Sequence, residues 1–281
     1  MNRGLRCIGL LSIAITMPIQ SAAEVRVTDA VGRELVLANP ARRVVSLAPH
    51  TTEMLFALGA GDRLVATVRF ADHPPAARRV PRIGDAFSVS LEALLASEPE
   101  LVVAWASGSP TWLVTRLDAL GVPLYLSAPT RLTDIGRELL ALGALLGEAS
   151  NAERLAATLE REIDALGDAS ATAPRTFFQI SRNPIYTVSD QHIIGAAMRR
   201  CALNVFGELN QASPQVSLEA VLAMQPERIV VTVDEAHTIA SWKKFWGRWG
   251  WEPRLVFVPA DLLSRPGPRM VEGVKIMCEG L

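Results

Sequence analysis

Residues 89–103 read VSLEALLASEPELVV, and residues 216–230 read VSLEAVLAMQPERIV. Ten of the fifteen positions are identical at a constant offset of 127, among them Ser90/Ser217, Glu92/Glu219, Pro99/Pro226 and Glu100/Glu227. Each copy predicts a helix, a turn and a buried strand. Serine is a favoured N-cap, and a glutamate in the first turn suits the positive end of the helix dipole. Leucine and alanine then supply an apolar face, and proline stops the helix. The run Leu101-Val102-Val103-Ala104-Trp105 that follows is apolar throughout, the pattern of a strand covered on both faces. A period of 127 is far too long for a solenoid and implies two similar lobes.

On either side of the repeats, strands and helices alternate. Residues 43–47, 63–67 and 122–126 read as strands, residues 51–59 as a short helix ended by Gly59. Residues 132–146 are apolar at helical spacing, and 151–166 form a long amphipathic helix that gives way to the small-residue run ending at Pro174. Strands at 176–180, 228–232 and 255–258 and helices at 238–246 and 268–279 complete the pattern. Alternation of this kind implies parallel sheets with right-handed crossovers. The expected architecture is α/β: two Rossmann-like lobes, residues 24–130 and 174–281, joined through a helical segment, 131–173, that contains the long helix. A ligand cleft is expected between the lobes. A long connecting helix implies modest lobe movement on binding.

The chain has 281 residues, 49% hydrophobic and 20% charged, with a formal net charge of −1. This is ample for buried cores, and near-neutrality argues against a nucleic-acid partner. Residues 1–23 have the form of a secretory signal peptide: Arg3 and Arg6, an apolar stretch from Cys7 to Met17, then Ser21 and Ala23 at the small-residue positions. The apolar stretch is shorter than the roughly 20 residues that span a bilayer. Cleavage after Ala23 would leave 258 residues of net charge −3, exported to the periplasm, with Cys201 and Cys278 as the remaining cysteines. An oxidising compartment favours their pairing; two buried free thiols are the alternative. No G-x-S-x-G elbow, H-E-x-x-H, P-loop or C-x-x-C occurs, so an enzyme is not expected.

The stretches Arg43-Val44-Val45-Ser46-Leu47-Ala48-Pro49 and Thr52-Glu53-Met54-Leu55-Phe56-Ala57-Leu58-Gly59, then Asp72-His73-Pro74-Pro75 and the two S-L-E-A repeats, resemble the periplasmic binding proteins with a helical backbone. That family delivers cobalamin, iron-siderophores or haem to ABC importers, and the likeness is greatest to its cobalamin-binding members. The resemblance implies a monomeric binder that captures cobalamin or a related corrinoid and hands it to the permease subunits of an ABC importer. Cobalamin would be transported cargo, with no cofactor of the protein's own. Haem or a ferric siderophore is the alternative cargo.

The resemblance further implies ligand contacts at Phe70, Phe87, Trp105, Tyr186, Asp261 and Arg265, and a disulfide between Cys201 and Cys278. Aromatic faces suit a large planar ring, and Asp261 and Arg265 suit its polar side groups. Ordinary core or rim aromatics and a surface ion pair are the plainer readings. The chain departs from the pattern near Ala86 and Phe87, at Ser213 and at Leu262, where the family's ligand aromatics are shifted or absent. Glu92 and Glu219 are expected to dock on permease arginines, beside their role at the helix dipole. His50 and His73 are candidate metal ligands near the cleft mouth, or polar rim residues. Trp242, Phe245, Trp246 and Trp249 share a helix face expected in the core, whereas Trp251 lies beyond it and is free to reach a pocket or partner.

Overall fold

The structure is a computed structural model that describes residues 24–85 and 88–281. The expected signal peptide and Phe87 lie outside the described residues.

The chain begins with an antiparallel hairpin, β1 (Val25–Thr28) and β2 (Glu34–Leu37). Its turn is held by the buried Asp29 carboxylate, which accepts from the Val31 and Arg33 amides and the Arg33 guanidinium. The first lobe then runs β3 (Val44–Ser46), α1 (Pro49–Ala57), β4 (Leu64–Ala66), α2 (Leu91–Ala96), β5 (Leu101–Trp105), α3 (Thr111–Ala119) and β6 (Leu124–Ser127). Its sheet is wholly parallel in the order β4-β3-β5-β6. Two helices follow, α4 (Leu132–Leu146) and α5 (Ala149–Asp164), packed on one another after a turn at Gly147-Glu148.

The second lobe comprises β7 (Arg175–Gln179), β8 (Ser181–Arg182), β9 (Ile185–Tyr186), α6 (Ile193–Met198), β10 (Leu203–Asn204), β11 (Gln215–Val216), α7 (Leu218–Met224), β12 (Arg228–Val233), α8 (Ala236–Gly247), β13 (Leu255–Pro259), α9 (Ala260–Leu263) and α10 (Met270–Glu279). Its main sheet is parallel, β10-β7-β12-β13. A small antiparallel sheet, β11-β9-β8, sits beside it.

The sequence echo is an echo of hydrogen bonds. Ser90 caps α2 by accepting from the Ala93 amide at 3.1 Å, and Ser217 caps α7 from the Ala220 amide at 3.1 Å. Glu98 (φ 47°) and Gln225 (φ 46°) both turn left-handed before the repeat's proline. Glu100 and Glu227 then accept from the amides of Arg43 and Arg175, at the edges of β3 and β7. Those arginines reach back to the carbonyls of Ser97 and Met224. Each repeat therefore latches its helix–turn–strand unit to the neighbouring strand by the same contacts, so β5 and β12 occupy central places in their sheets.

One apolar cluster runs through both lobes. It includes Leu55 and Val103 of the first, Leu142 and Leu159 of the helix pair, and Phe178, Val230 and Val274 of the second. The outer face of each lobe has its own smaller core. In the second lobe this is aromatic: Trp246 is fully buried, its indole N–H donates to Gln179 Oε1 at 2.9 Å, and Trp251 stacks on it at 5.4 Å. Trp251, expected to be free for a pocket, is thus a core residue. The chain folds back at Gly250 and brings the two indole planes within 15° of parallel.

His50 also departs from expectation. It is buried below the cleft rather than at its mouth. Its Nε2 shares a hydrogen bond with Ser127 Oγ at 3.0 Å, and Ser127 bonds Glu138, which also accepts from the Ala128 amide at 2.9 Å. Burial pushes His50 down to about 3 and Glu138 up to about 7.

The Cys201–Cys278 bridge ties the turn three residues beyond α6 to α10 across 77 positions. Replacing both by alanine should lower the unfolding free energy by roughly 4–5 kcal/mol on the loop-closure model, read by denaturant titration. The buried pair supplies a second test. Unfolding returns His50 to about 6.5 and Glu138 to about 4.5, so the two act oppositely. The stability that goes with neutral His50 is lost as pH falls below about 6.5. Glu138, protonated in the fold, adds stability as pH falls from about 7 towards 4.5. Glu138→Gln removes only the second effect. Relative to wild type it should lose about 1.4 kcal/mol per pH unit between pH 6.5 and 4.5. An unchanged pH profile would refute the linkage.

Candidate functional site

In open parallel sheets ligands bind beyond the carboxyl ends of the strands, where the strand order reverses. In the first sheet that point lies between β3 and β5, and in the second between β7 and β12. Trp105, the last residue of β5, stands at the first of these points. Its ring is held edge-on by His50, with centroids 5.5 Å apart. Gly108 lies directly against the indole: a Cβ there would come within 2.0 Å of it, so a side chain at 108 would displace the ring. The Trp105 amide donates to Ser109 Oγ at 3.2 Å.

Trp105 lines a cavity of about 240 Å³ between the lobes. The first lobe and the loop before α4 contribute Ser107 and Ala128 to Thr130; the second contributes Gln191 to Ile194, Ala212, Leu263, Ser264 and Pro266. Every side chain in this set is apolar, aromatic or neutral and hydrogen-bonding. A larger hollow of about 610 Å³ lies between β1, β6 and α4, with Asp29, Arg131, Asp134, Arg137 and Glu138 around it. Its lining comes from residues 28–141 alone, and Asp134–Arg137 and Asp29–Arg33 are already paired.

Beside the cavity an ion cluster joins the lobes. Glu53 on α1 is almost wholly buried. It accepts from Arg265 Nη1 at 3.0 Å and from Arg269 Nε and Nη2 at 2.9 and 2.7 Å. Arg265 also donates to Asp72 at 2.8 Å, and Arg269 to Asp261 at 3.0 Å. The hydrogen bonds that Arg269 donates to Glu53 raise its pKa above the usual range. Burial opposes the charge on Arg265, but Glu53 and Asp72 outweigh it and raise that group as well. Burial likewise opposes ionisation of Asp72, and Arg265 overcomes it and holds the carboxyl below its ordinary range.

The expected site residues therefore separate. Trp105 lines the cavity. Asp261 and Arg265 stand next to it, engaged in the ion cluster. Phe70 and Tyr186 are exposed, at 67% and 37%, and neither lines the cavity. Phe70 has a left-handed backbone (φ 66°), unfavourable for a bulky residue, two positions before Asp72. Tyr186 pairs with Gln215 beside the Ser213 loop. His73 lies in a different hollow of about 200 Å³ with Phe56, Pro74 and Pro268, bordered by Glu53 and Arg269 of the ion cluster. Glu92 and Glu219 are both exposed, one on each lobe; its own amide and the Ser217 hydroxyl hold Glu219 below the usual range.

Sequence reading did not identify Glu53, His192, Gly108 or the exposed Trp112 on α3. Glu53 carries a signal, an acid set directly before the apolar run Met54-Leu55-Phe56. Gly108 acts on Trp105, three residues away, whereas His192 becomes significant only once segments distant in sequence meet at one cavity.

Residues 44–245 match the family model described as periplasmic binding protein. The chain is 32% identical over 248 residues to the vitamin B12-binding protein of Vibrio cholerae serotype O1, covering 85% of this chain and 88% of that one. It is 34% identical over 253 residues to the vitamin B12-binding protein of Pectobacterium atrosepticum, with the same coverage. Among solved structures it is similar to the periplasmic vitamin B12 binding protein BtuF of Vibrio cholerae, with a TM-score of 0.77 and 30% identity over 86% of this chain and 96% of that one. It is also similar to the periplasmic heme-binding protein RhuT from Roseiflexus sp. RS-1, with a TM-score of 0.74 and 25% identity over 85% and 97%. With this fold, its two parallel sheets and the cavity between them, the chain belongs to the periplasmic binding protein family.

Proposed function

We propose that this protein captures cobalamin or a related corrinoid in the periplasm and delivers it to the permease subunits of an ABC importer. The observation that carries the reading is the chemistry of the inter-lobe cavity. Trp105 offers an aromatic face to a planar macrocycle. Around it Ser107, Thr130, Gln191, His192 and Ser264 are neutral hydrogen-bonding groups. Neutral donors and acceptors suit a ligand fringed with amides. Haem carboxylates or an acidic siderophore would call for cations at the cavity, and the two arginines beside it are already held by Glu53, Asp72 and Asp261.

The cavity, about 240 Å³, is smaller than a site that encloses a drug-sized ligand. A corrinoid would seat one edge on Trp105 and spread across the mouth, towards Phe70 and Tyr186. Asp261, half exposed and bonded to Arg269 through one carboxylate oxygen, keeps the other oxygen for a polar side group. Residues 24–130 and 174–281 act as the lobes and 131–173 as their connector. Glu92 and Glu219 present like charges at equivalent places on the two lobes, which suits orientation of a docking encounter.

The chain without residues 1–23 should bind cyanocobalamin in calorimetric titration more tightly than haemin or a ferric siderophore; binding of haemin alone would overturn the reading. Trp105→Ala should weaken cyanocobalamin binding by more than tenfold, as loss of a central aromatic anchor does. Glu92→Lys combined with Glu219→Lys should impair corrinoid uptake by cells while affinity in solution stays unchanged. Normal uptake in that variant would refute docking through these acids.

A further inference from the structure

We infer that His192 is a hydrogen-bond donor to the bound ligand through Nε2 and does not coordinate its metal. The inference rests on the corrinoid reading above and assigns a specificity-determining contact within that site.

The geometry is local and constrained. His192 precedes α6, and its Nδ1 accepts from the Ile194 amide at 3.1 Å. A ring nitrogen that accepts carries a lone pair, so in the neutral ring the proton resides on Nε2. Burial holds His192 below its ordinary value, which keeps the ring neutral. Among the described residues nothing hydrogen-bonds Nε2, and no buried side-chain nitrogen is left without a partner. Nε2 is therefore open, and His192 lines the same cavity as Trp105.

The ring is also fixed in place. A Cβ at Gly195 would come within 1.9 Å of the Ser189 carbonyl oxygen, so α6 packs directly on the preceding loop. The His192 amide donates to that carbonyl at 3.0 Å, and Ile193 and Ile194 are buried. A donor anchored in this way meets an acceptor on the ligand at little entropic cost.

Metal coordination needs the Nε2 lone pair. To provide it the proton would have to move to Nδ1, which would break the bond from Ile194. His50 is no substitute, since its Nε2 is bonded to Ser127 within the core. The cavity therefore selects by hydrogen bonding to the ligand's periphery, with an amide carbonyl as the fitting acceptor.

The test compares wild type, His192→Ser and His192→Gln. Serine retains an oxygen that caps Ile194 but loses the reach into the cavity; glutamine regains a reaching N–H. Thermal unfolding establishes that each variant is folded. In calorimetry with cyanocobalamin, H192S should bind about five- to tenfold more weakly, the worth of one hydrogen bond, and H192Q should recover most of the loss. With aquacobalamin, whose cobalt-bound water an imidazole lone pair displaces, the visible band of bound wild type should match that of H192S. Equal affinity in wild type and H192S, or equal loss in both variants, would overturn the donor role. An imidazole-coordinated band present in wild type and absent in H192S would overturn the exclusion of coordination. Failure of the wild type to bind cyanocobalamin would instead refute the corrinoid reading itself.

Discussion

The arrangement of the two lobes depends on one buried carboxylate. Glu53 leaves water on α1 of the first lobe and is met by two guanidiniums from the last segment of the second. A buried charge is costly unless it is paired and hydrogen-bonded; Glu53 satisfies both conditions, with Arg269 binding it through two nitrogens. Asp72 and Asp261 complete the cluster from either side of the cleft. Because Arg265 and Arg269 are held by the opposite lobe, the segment between α9 and α10 has a defined path. That segment supplies Ser264 and Pro266 to the cavity. The ion cluster thus shapes the site it flanks, and the continuous apolar core behind it resists separation of the lobes.

The site arises from topology more than from any local motif. Two parallel sheets each reverse strand order once, and the repeat places an equivalent strand, β5 or β12, at the reversal. Trp105 and His192 then face one cavity although they belong to different lobes. Behind Trp105, His50 is a buried neutral imidazole bonded to the Ser127 hydroxyl, so the side of the cavity behind the indole is backed by uncharged groups. This neutrality distinguishes the cavity from the charged hollow beside β1 and from the ion cluster next to it.

Much of the fold was legible because it rests on short-range chemistry. The serine caps, the proline stops and the buried strands of the repeat act within a few residues, and both copies form as read. The two helices after Arg131 announce themselves by apolar spacing. The short antiparallel strands β8, β9 and β11 were not read, because two residues carry no periodicity and their pairing joins Tyr186 to a loop some thirty residues on. Trp251 was misplaced for a similar reason: whether an indole beyond a glycine packs back or projects outward depends on what waits for it, here Trp246. His50 looked like a rim residue because its neighbours Ser127 and Glu138 are far away in sequence.

The class of fold, the duplicated helix–turn–strand unit and the two cysteines that the structure joins are all legible in short stretches of the chain. These follow from caps, breakers and hydrophobic patterning, which are local and strong. Which polar groups face the cleft and which hold it together is settled when the lobes pack against each other. Arg265 and Asp261, read as ligand contacts, are tied into the Glu53 cluster, while His192, unremarkable in sequence, is left with an open nitrogen. The physical reason is that burial sets the cost of an unpaired charge, and burial is a property of the assembled lobes.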